Sequence, residues 1–401
     1  MNRKISVGLC ISLVIISITA TFAITMVASK EIFSGIMNNI SQRSQSYQVV
    51  EEVNQIVSAY FYGSVSDQNK LNAALSEGYV NGLNDPNSMY LNASEYASYT
   101  STLEGGVTGV GVETVYNYQT SEFVITYVYE GSPAEKAGLK ANDVITAIDN
   151  TQITMSNFAQ QRNLLYGSLL SSVSIEYERD NETKVAETML GFSIPSVKSN
   201  LYGNVGYIKI SGFYKNTASE FKAAAEKLIK NGAESLVFDV RDVYGGTIDY
   251  AAQVIDVISP AIPDNIAVAK DKNGNIYKDK IYTAENSNIT MPFAVLVNGR
   301  TSGPAELFAC DLRDISQAQL IGTKTAGVGT MQELFHLEDG GAVLLTVALV
   351  VPRGGDAAVY NNIGIEPTVE VTLESSGLTD LALLTVEQDK QLSTALNMMA
   401  S

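Results

Sequence analysis

The segment from Phe293 to Gln332 reads FAVLVNGRTSGPAELFACDLRDISQAQLIGTKTAGVGTMQ. Its apolar start predicts a buried strand, which is followed by a polar turn and by a helix that begins at Gly303 or Pro304. Glycine suits the N-cap, proline suits the first helical position, and Glu306 stands where a capping glutamate belongs. A strand that turns into a helix N-terminus often holds a nucleophile or binds an anion. The pattern therefore predicts a chemical site at this turn.

The same segment resembles the carboxyl-terminal processing peptidases, which are PDZ-containing serine proteases of the S41 family with a Ser/Lys dyad. In that family a serine precedes the glutamate by three residues, a lysine follows in a Gly-Lys-Gly-Thr turn, and a glutamine orients the lysine. Aligned on Glu306, the serine position is Gly303, the lysine position is Val328 in GVGT, and the glutamine position is Gln332. Only Gln332 is retained.

Two glycines and a proline correspond to the family's oxyanion hole. The resemblance implies that one N–H donor follows the nucleophile, but the residue there is Pro304, which has no N–H. The family's other donor comes from a glycine turn, which corresponds to Gly245 and Gly246 in DVRDVYGG. These glycines either line the groove or serve only the turn. The combined loss of the nucleophile, the general base and one oxyanion-hole donor predicts a pseudo-enzyme.

An alternative nucleophile is Ser302, one residue before the expected position, with Lys324 or His336 as its base. The competing role of Ser302 is to cap the helix or bridge the turn. His336 is the only histidine in the chain, so any Ser-His scheme depends on it. One histidine and two distant cysteines cannot form a zinc site, and no glycine-rich turn is placed for a nucleotide. We expect no metal and no cofactor.

Residues 101–190 form a second predicted unit. GGVTGVGVETV, which begins at Gly105, places glycines before an alternating strand, and GSPAEKAGLKANDVITAID predicts a short helix capped by Ser132 and then a strand. This pairing resembles a bacterial PDZ domain, a small β-rich barrel. The resemblance implies that a peptide C-terminus adds as a strand, with its carboxylate held by backbone N–H groups of Gly109, Val110, Gly111 and Val112. Alternatively, the glycines only shape a bulged strand.

Residues 1–30 carry Arg3 and Lys4 before an uncharged, largely apolar run, Ile5 to Ser29, which is long enough to cross a bilayer. Positive charge at the N-terminus predicts a single-pass cell-membrane anchor with the rest of the chain extracytoplasmic. Cleavage as a signal peptide, giving a secreted protein, is the competing interpretation. Residues 31–100 have a helical period, and LNDPNSMYLNASEY within them resembles the segment that closes the family's helical N-terminal region.

Residues 191–401 alternate strands and helices, which predicts an α/β core. The resemblance makes this core the S41 type, with a ClpP/crotonase-like fold. In its DVRD sequence, we expect Arg241 to pair with Asp239 or Asp242. Leucines in the last thirty residues predict a terminal helix; they are Leu381, Leu383, Leu384, Leu392 and Leu396.

The composition and net charge of the chain exclude some classes of function. The chain has 401 residues, is 45% hydrophobic, and carries a formal charge of −17, which supports several packed domains and argues against nucleic-acid binding. The leading prediction is a membrane-anchored, inactive peptidase relative that binds peptide or protein C-termini, with an active S41 relative and a second copy of itself as further partners. The alternatives are an active endopeptidase that uses Ser302 and a purely structural membrane-surface protein.

Overall fold

The computed structural model describes residues 48–63, 67–105, 107–167, 171–258, 265–285, 289, 291–373 and 380–400. The predicted anchor, residues 1–30, lies outside the described residues. Within those ranges no helix is both long and apolar enough to span a bilayer. The chain divides into two compact units, residues 1–72 and residues 73–401.

Helices dominate the described part of residues 31–100, as predicted. In the first unit, helix α1 covers residues 48–60. The segment MYL departs from the helical prediction, because it forms a short strand that pairs with a strand of the core. The next helix begins where Asn92 and Glu95 form a reciprocal capping box. The elements are α2 (Gln68–Asn81), which crosses the division between the units, β1 (Met89–Leu91) and α3 (Ala93–Leu103).

The predicted PDZ domain is a twisted antiparallel sheet with two short helices. Its central strands alternate buried and less buried residues, and the buried side chains form one apolar cluster. Ser132 caps the first helix and Pro133 occupies its first position, as predicted. The elements are β2 (Thr108–Gly109), β3 (Val112–Asn117), β4 (Glu122–Val128), α4 (Pro133–Lys136), β5 (Val144–Ile148), β6 (Thr151–Gln152), α5 (Phe158–Asn163), β7 (Ser172–Arg179), β8 (Glu182–Met189) and β9 (Phe192–Ser193).

The core is built on a sheet of six strands, of which only the first pair is antiparallel. Its central strands SLVFD and FAVLV are buried along their whole length, because helices cover both faces. In sheet order the strands are β10 (Val197–Tyr202), β11 (Val205–Ile210), β12 (Ser235–Asp239), β15 (Phe293–Val297), β16 (Gln319–Gly322) and β19 (Val369–Glu370). The helices are α6 (Thr217–Lys230), α7 (Ile248–Ile258), α8 (Pro304–Ser316) and α9 (Lys390–Met399).

A second sheet in the core packs against the first and joins the N-terminal region to it. Its longest strand, β18, pairs with β1 on one side and also with β17 and β13. Because β17 starts directly after the GVGT turn, this sheet fixes the position of that turn. The strands are β13 (Ala267–Lys270), β14 (Ile276–Tyr282), β17 (Thr330–His336) and β18 (Ala342–Pro352), and a 3-10 turn, η1 (Gly355–Ala358), follows.

The predicted terminal helix is correct only for its second half. Leu381 and Leu383 lie in a 3-10 turn, η2 (Leu381–Leu383), and not in the helix. Asp380 caps this turn, and Asp389 caps α9 by accepting a hydrogen bond from Leu392 N–H. The two aspartates start separate helical turns, so the leucine spacing overestimated the length of the helix.

Candidate active site and peptide groove

The helix α8 begins in the backbone conformation of a nucleophile elbow. Gly303 has φ 59° and ψ −116°, a strained combination that L side chains rarely adopt. Apart from its chain neighbours, the atom nearest to a Cβ built on Gly303 is the carbonyl oxygen of Val328, at 4.0 Å. The predicted nucleophile and base positions are therefore neighbours in space, with room between them for a side chain.

Glu306 holds these two positions together. It is fully buried, and its carboxylate accepts hydrogen bonds from Gly303 N–H (3.0 Å), Gly327 N–H (2.7 Å), Val328 N–H (2.7 Å) and the Thr325 hydroxyl. The chain's own carboxylate thus takes the N–H of Gly303 at the start of α8 and two N–H groups of the GVGT turn, which an external anion would otherwise use. Glu306 therefore occupies the place of an external anion at this turn.

Proline at position 304 changes the donors available at the elbow. Pro304 is the first residue of α8 and has no N–H, and the next amide, Ala305 N–H, donates to the carbonyl of Ser302 at 3.2 Å. The predicted loss of the oxyanion donor at this position therefore agrees with the local geometry. Neither of the first two helix residues offers an N–H to a reacting carbonyl.

The glycine turn before α7 has a clear structural role. A Cβ on Gly246 would lie 2.1 Å from the carbonyl oxygen of Phe213, so only glycine allows this approach. Two segments of the chain are joined there by hydrogen bonds from Phe213 N–H to Gly245 O (3.0 Å) and from Thr247 N–H to Phe213 O (3.1 Å). Of the two roles open for Gly245 and Gly246, the geometry supports the one in the turn.

Asp242 ties this glycine turn to the elbow. Its carboxylate accepts hydrogen bonds from Asn298 Nδ2 at 2.7 Å and from Arg300 Nε at 2.8 Å. Burial alone would raise the pKa of this carboxyl, but Arg300 and Asn298 outweigh burial and lower it. Ser302 N–H adds a 2.9 Å hydrogen bond to Val243 O. The two turns that would form the oxyanion hole therefore lie side by side.

The retained glutamine, Gln332, forms hydrogen bonds with two threonine side chains. Gln332 Nε2 donates to Thr330 Oγ1 at 2.8 Å and to Thr346 Oγ1 at 3.2 Å. Thr346 N–H in turn donates to Ser88 Oγ at 3.0 Å, in the segment that precedes β1. Gln332 thus connects the GVGT turn to the N-terminal region without a lysine to orient.

The alternative nucleophile has no evident base. Lys324 pairs with Glu366 at 2.7 Å, and its side chain is 47% exposed. His336 packs against the ring of Tyr96 with 5.5 Å between the ring centroids. It ends β17, about 20 Å along the strand from the Thr330 end that adjoins the GVGT turn. Among the described contacts none directs either base to the Ser302 hydroxyl.

The predicted carboxylate loop of the PDZ domain is partly closed. Val110 N–H donates to Leu165 O at 2.9 Å, and Gly109 lies between β9 and Tyr166 in antiparallel pairing. In this structure the residues after α5 take the N–H that was predicted to bind a ligand carboxylate at Val110. The sequence could not show this, since the pairing depends on how α5 packs.

Gly111 and Val112 are buried, but α5 and the residues after it do not take their N–H groups. The backbone donor Gly111 N–H has no acceptor within the described part of the chain. Gly111 O accepts from Tyr129 N–H, which makes Val112 and Val128 a non-hydrogen-bonded pair, so the N–H of Val112 points to the open side of β3. Because β3 is an edge strand, this side can accept another strand.

Two charged residues that the sequence analysis missed lie beside this edge. Arg162 of α5 is exposed, and no described hydrogen bond or salt bridge involves its guanidinium. Glu113 of β3 pairs with Lys198 of the core at 2.5 Å and accepts a hydrogen bond from Tyr129 Oη at 2.6 Å. No local motif marks either residue, because packing between distant segments brings them to the groove.

Comparison with known proteins agrees with both domains. Peptidase family S41 matches residues 204–371, and the PDZ domain family matches residues 124–179. The carboxy-terminal processing protease CtpA of Bacillus subtilis (strain 168) is 30% identical over 322 residues, which cover 80% of this chain and 67% of that protein. A probable CtpA-like serine protease of Staphylococcus haemolyticus (strain JCSC1435) is 28% identical and is covered to 71%, with 90% of this chain aligned.

A solved structure shows the same fold. The putative S41 protease from Bacteroides fragilis superposes with a TM-score of 0.58 at 21% identity, over 86% of this chain and 96% of that one. Together with the sequence matches, it confirms the predicted mixed α/β fold with a PDZ domain and an S41 core.

Proposed function

The chain belongs to the carboxy-terminal processing proteases of peptidase family S41 and carries their PDZ domain, and from this premise we propose that it is an inactive member that binds peptide or protein C-termini outside the cytoplasm. The observation that carries the proposal is the elbow itself. Gly303 holds the conformation of a nucleophile, but it has no oxygen with which to attack.

Three chemical losses at one site support inactivity. Glycine at position 303 has no hydroxyl, valine at position 328 has no amine, and proline at position 304 has no N–H. Loss of a nucleophile or base alone typically reduces turnover by several orders of magnitude. Glu306 and Asp242 hold the turns of the site in place by hydrogen bonds, while the reacting groups are absent.

The PDZ domain supports the binding function. Its strand β3 is an edge strand, and the N–H of Val112 points to the open side, which supports the addition of a ligand strand there. Arg162 supplies a cation beside that edge. Attachment to the membrane through residues 1–30, an extracytoplasmic location, and association with an active relative or a second copy complete the proposal.

Removing the charge of Arg162 is expected to weaken the binding of peptide C-termini. We expect fluorescent peptides with a free carboxylate to bind the full-length chain, and Arg162→Gln to weaken that binding about tenfold, the equivalent of one charge-assisted contact. Fluorescence anisotropy measures the affinity. The exposed Lys222→Gln on α6 is the matched control and should leave it unchanged.

The same peptides with an amidated C-terminus test the carboxylate directly. Amidation should weaken binding to the wild-type chain and add little to the loss in Arg162→Gln, because both changes remove the same contact. Equal affinity for the acid and the amide would contradict recognition of C-termini. No binding of any peptide would favour the purely structural alternative.

Neither the wild-type chain nor Ser302→Ala is expected to cleave an unstructured protein, even at high protein concentration. Ser302 has a backbone role in the turn, and its candidate bases are engaged elsewhere. Gel electrophoresis and mass spectrometry of the products measure cleavage. Proteolysis by the wild-type chain that stops in Ser302→Ala would establish the endopeptidase alternative and overturn the proposal.

A further inference from the structure

A cavity of about 310 Å³ lies where the PDZ domain meets the core. Its wall combines residues of β3 from Val112 to Val115 with Tyr214 and Asn216 of the core and with Ala382 of the C-terminal turn η2. Clefts of this size between domains are common ligand sites. The cavity adjoins the open edge of β3, so a strand added there would pass beside it.

Charged groups in the wall are already satisfied, with one exception. Glu113 pairs with Lys198, and Glu220 accepts hydrogen bonds from the N–H and the hydroxyl of Ser196 at 2.8 and 2.7 Å. The exception is the guanidinium of Arg162, which interacts electrostatically with Tyr166 but makes no hydrogen bond or salt bridge among the described residues. A ligand side chain that enters the cavity therefore finds apolar surface and neutral groups, while a ligand carboxylate finds Arg162.

The C-terminal turn is held in place by contacts with the core. The chain leaves the core sheet at Val371 and returns at Asp389, and Gln391 Nε2 joins the two ends by a 2.7 Å hydrogen bond to Val371 O. Within this excursion, η2 packs against β3. Ala382 is exposed at the cavity, so its side chain is free to vary without loss of core packing.

We propose that the peptide site is composite: β3 binds the ligand backbone, Arg162 binds its carboxylate, and η2 closes a pocket for one uncharged side chain near the peptide's C-terminus. This inference rests on the proposed peptide-binding function. Ala382 is then the residue that limits the size of the accepted side chain. The C-terminal segment of the chain thereby becomes part of a site that otherwise belongs to the PDZ domain.

Ala382→Trp tests the composite site. The ligands are C-terminal peptides in which each of the last three positions is, in turn, glycine or leucine. For the position that enters the pocket, we expect the leucine peptide to lose at least about tenfold in affinity and the glycine peptide to change little. Fluorescence anisotropy on the full-length chain measures both, and thermal unfolding checks that the variant is folded.

The exposed Ala223→Trp on α6 is the matched control and should bind every peptide as the wild type does. Ala382→Lys, which adds length and a charged end in place of an aromatic ring, should reproduce the selective loss. Unchanged affinities in both Ala382 variants would confine the site to the PDZ domain and overturn the inference, and tighter binding would make η2 a competitor of the ligand. Failure of the wild-type chain to bind any peptide would instead contradict the proposed function.

Discussion

The triple variant Gly303→Ser, Pro304→Ala and Val328→Lys is expected to cleave unstructured proteins at least about 100-fold faster than the wild-type chain, the lower range of the contribution of a positioned base. The elbow already has the backbone angles that a nucleophile requires. A Cβ at position 303 would meet no atom outside its chain neighbours closer than the carbonyl oxygen of Val328, at 4.0 Å. Serine should therefore fit, with a cost of about 1–3 kcal/mol for the positive φ.

The lysine in this variant must be neutral to accept a proton. Val328 is half-buried, and its backbone is fixed by the hydrogen bond of its N–H to Glu306. Partial burial lowers the pKa of a lysine because it disfavours the charged form. Proteolysis should therefore increase with pH as the amine loses its proton. Alanine at position 304 restores a backbone N–H at the start of α8.

The matched control is Gly303→Ala with the same changes at positions 304 and 328. It carries the same backbone strain and the same lysine, and it differs from the active design by one oxygen atom. Cleavage by both variants would indicate a contaminant. A folded triple variant that remains inactive would show that the elbow is not in a productive arrangement, and inactivity of the wild-type chain would then involve more than the substituted side chains.

The elbow is the part of the structure that the sequence predicted best. Gly303, Pro304 and Glu306 specify an N-cap, a first turn and a capping carboxylate by local rules, so their arrangement follows from spacing alone. The same holds for Ser132 and Pro133 in the PDZ domain. Such contacts join residues a few positions apart, where the backbone leaves few alternatives.

Features that depend on distant contacts could not be predicted. The glycines at positions 109 and 111 indicated a carboxylate loop, but the pairing of Val110 with Leu165 closes part of it. The leucines near the C-terminus indicated one helix, yet the turn η2 leaves the core and packs on β3. In both cases the outcome depends on a segment more than fifty residues away, which local propensity does not specify.

Arg241→Met is expected to lower the free energy of unfolding by about 3–5 kcal/mol at pH 7, as for other buried ion pairs that lose one partner. The Arg241 side chain is 3% exposed and lies between two buried carboxylates, with hydrogen bonds of 2.7 Å to Asp239 and 2.8 Å to Asp389. The predicted pairing with one aspartate of DVRD is confirmed for Asp239. Without the guanidinium, two carboxylates would remain buried together.

The size of this effect should depend on pH. Burial by itself raises the pKa of Asp239, but the charges of Arg241 and Lys209 outweigh burial and hold it well below its usual value of 3.8. A carboxyl whose pKa is lower in the folded than in the unfolded protein contributes stability at pH values above its unfolded-state pKa. This stability is lost as the pH falls through its folded-state pKa. In Arg241→Met the Asp239 carboxylate should protonate at higher pH than in the wild type, so the difference in stability should shrink as the pH falls toward 4.

Chemical denaturation at several pH values measures this difference, and Arg300→Met is the matched control. Arg300 also pairs with an aspartate at 2.8 Å, but its side chain is 72% exposed, so its loss should cost less than about 1 kcal/mol. Equal effects of the two variants would contradict the buried cluster as a source of stability. Because Asp389 caps α9, the cluster also anchors the return of the C-terminal segment, so Arg241→Met should loosen η2 and weaken peptide binding together with stability.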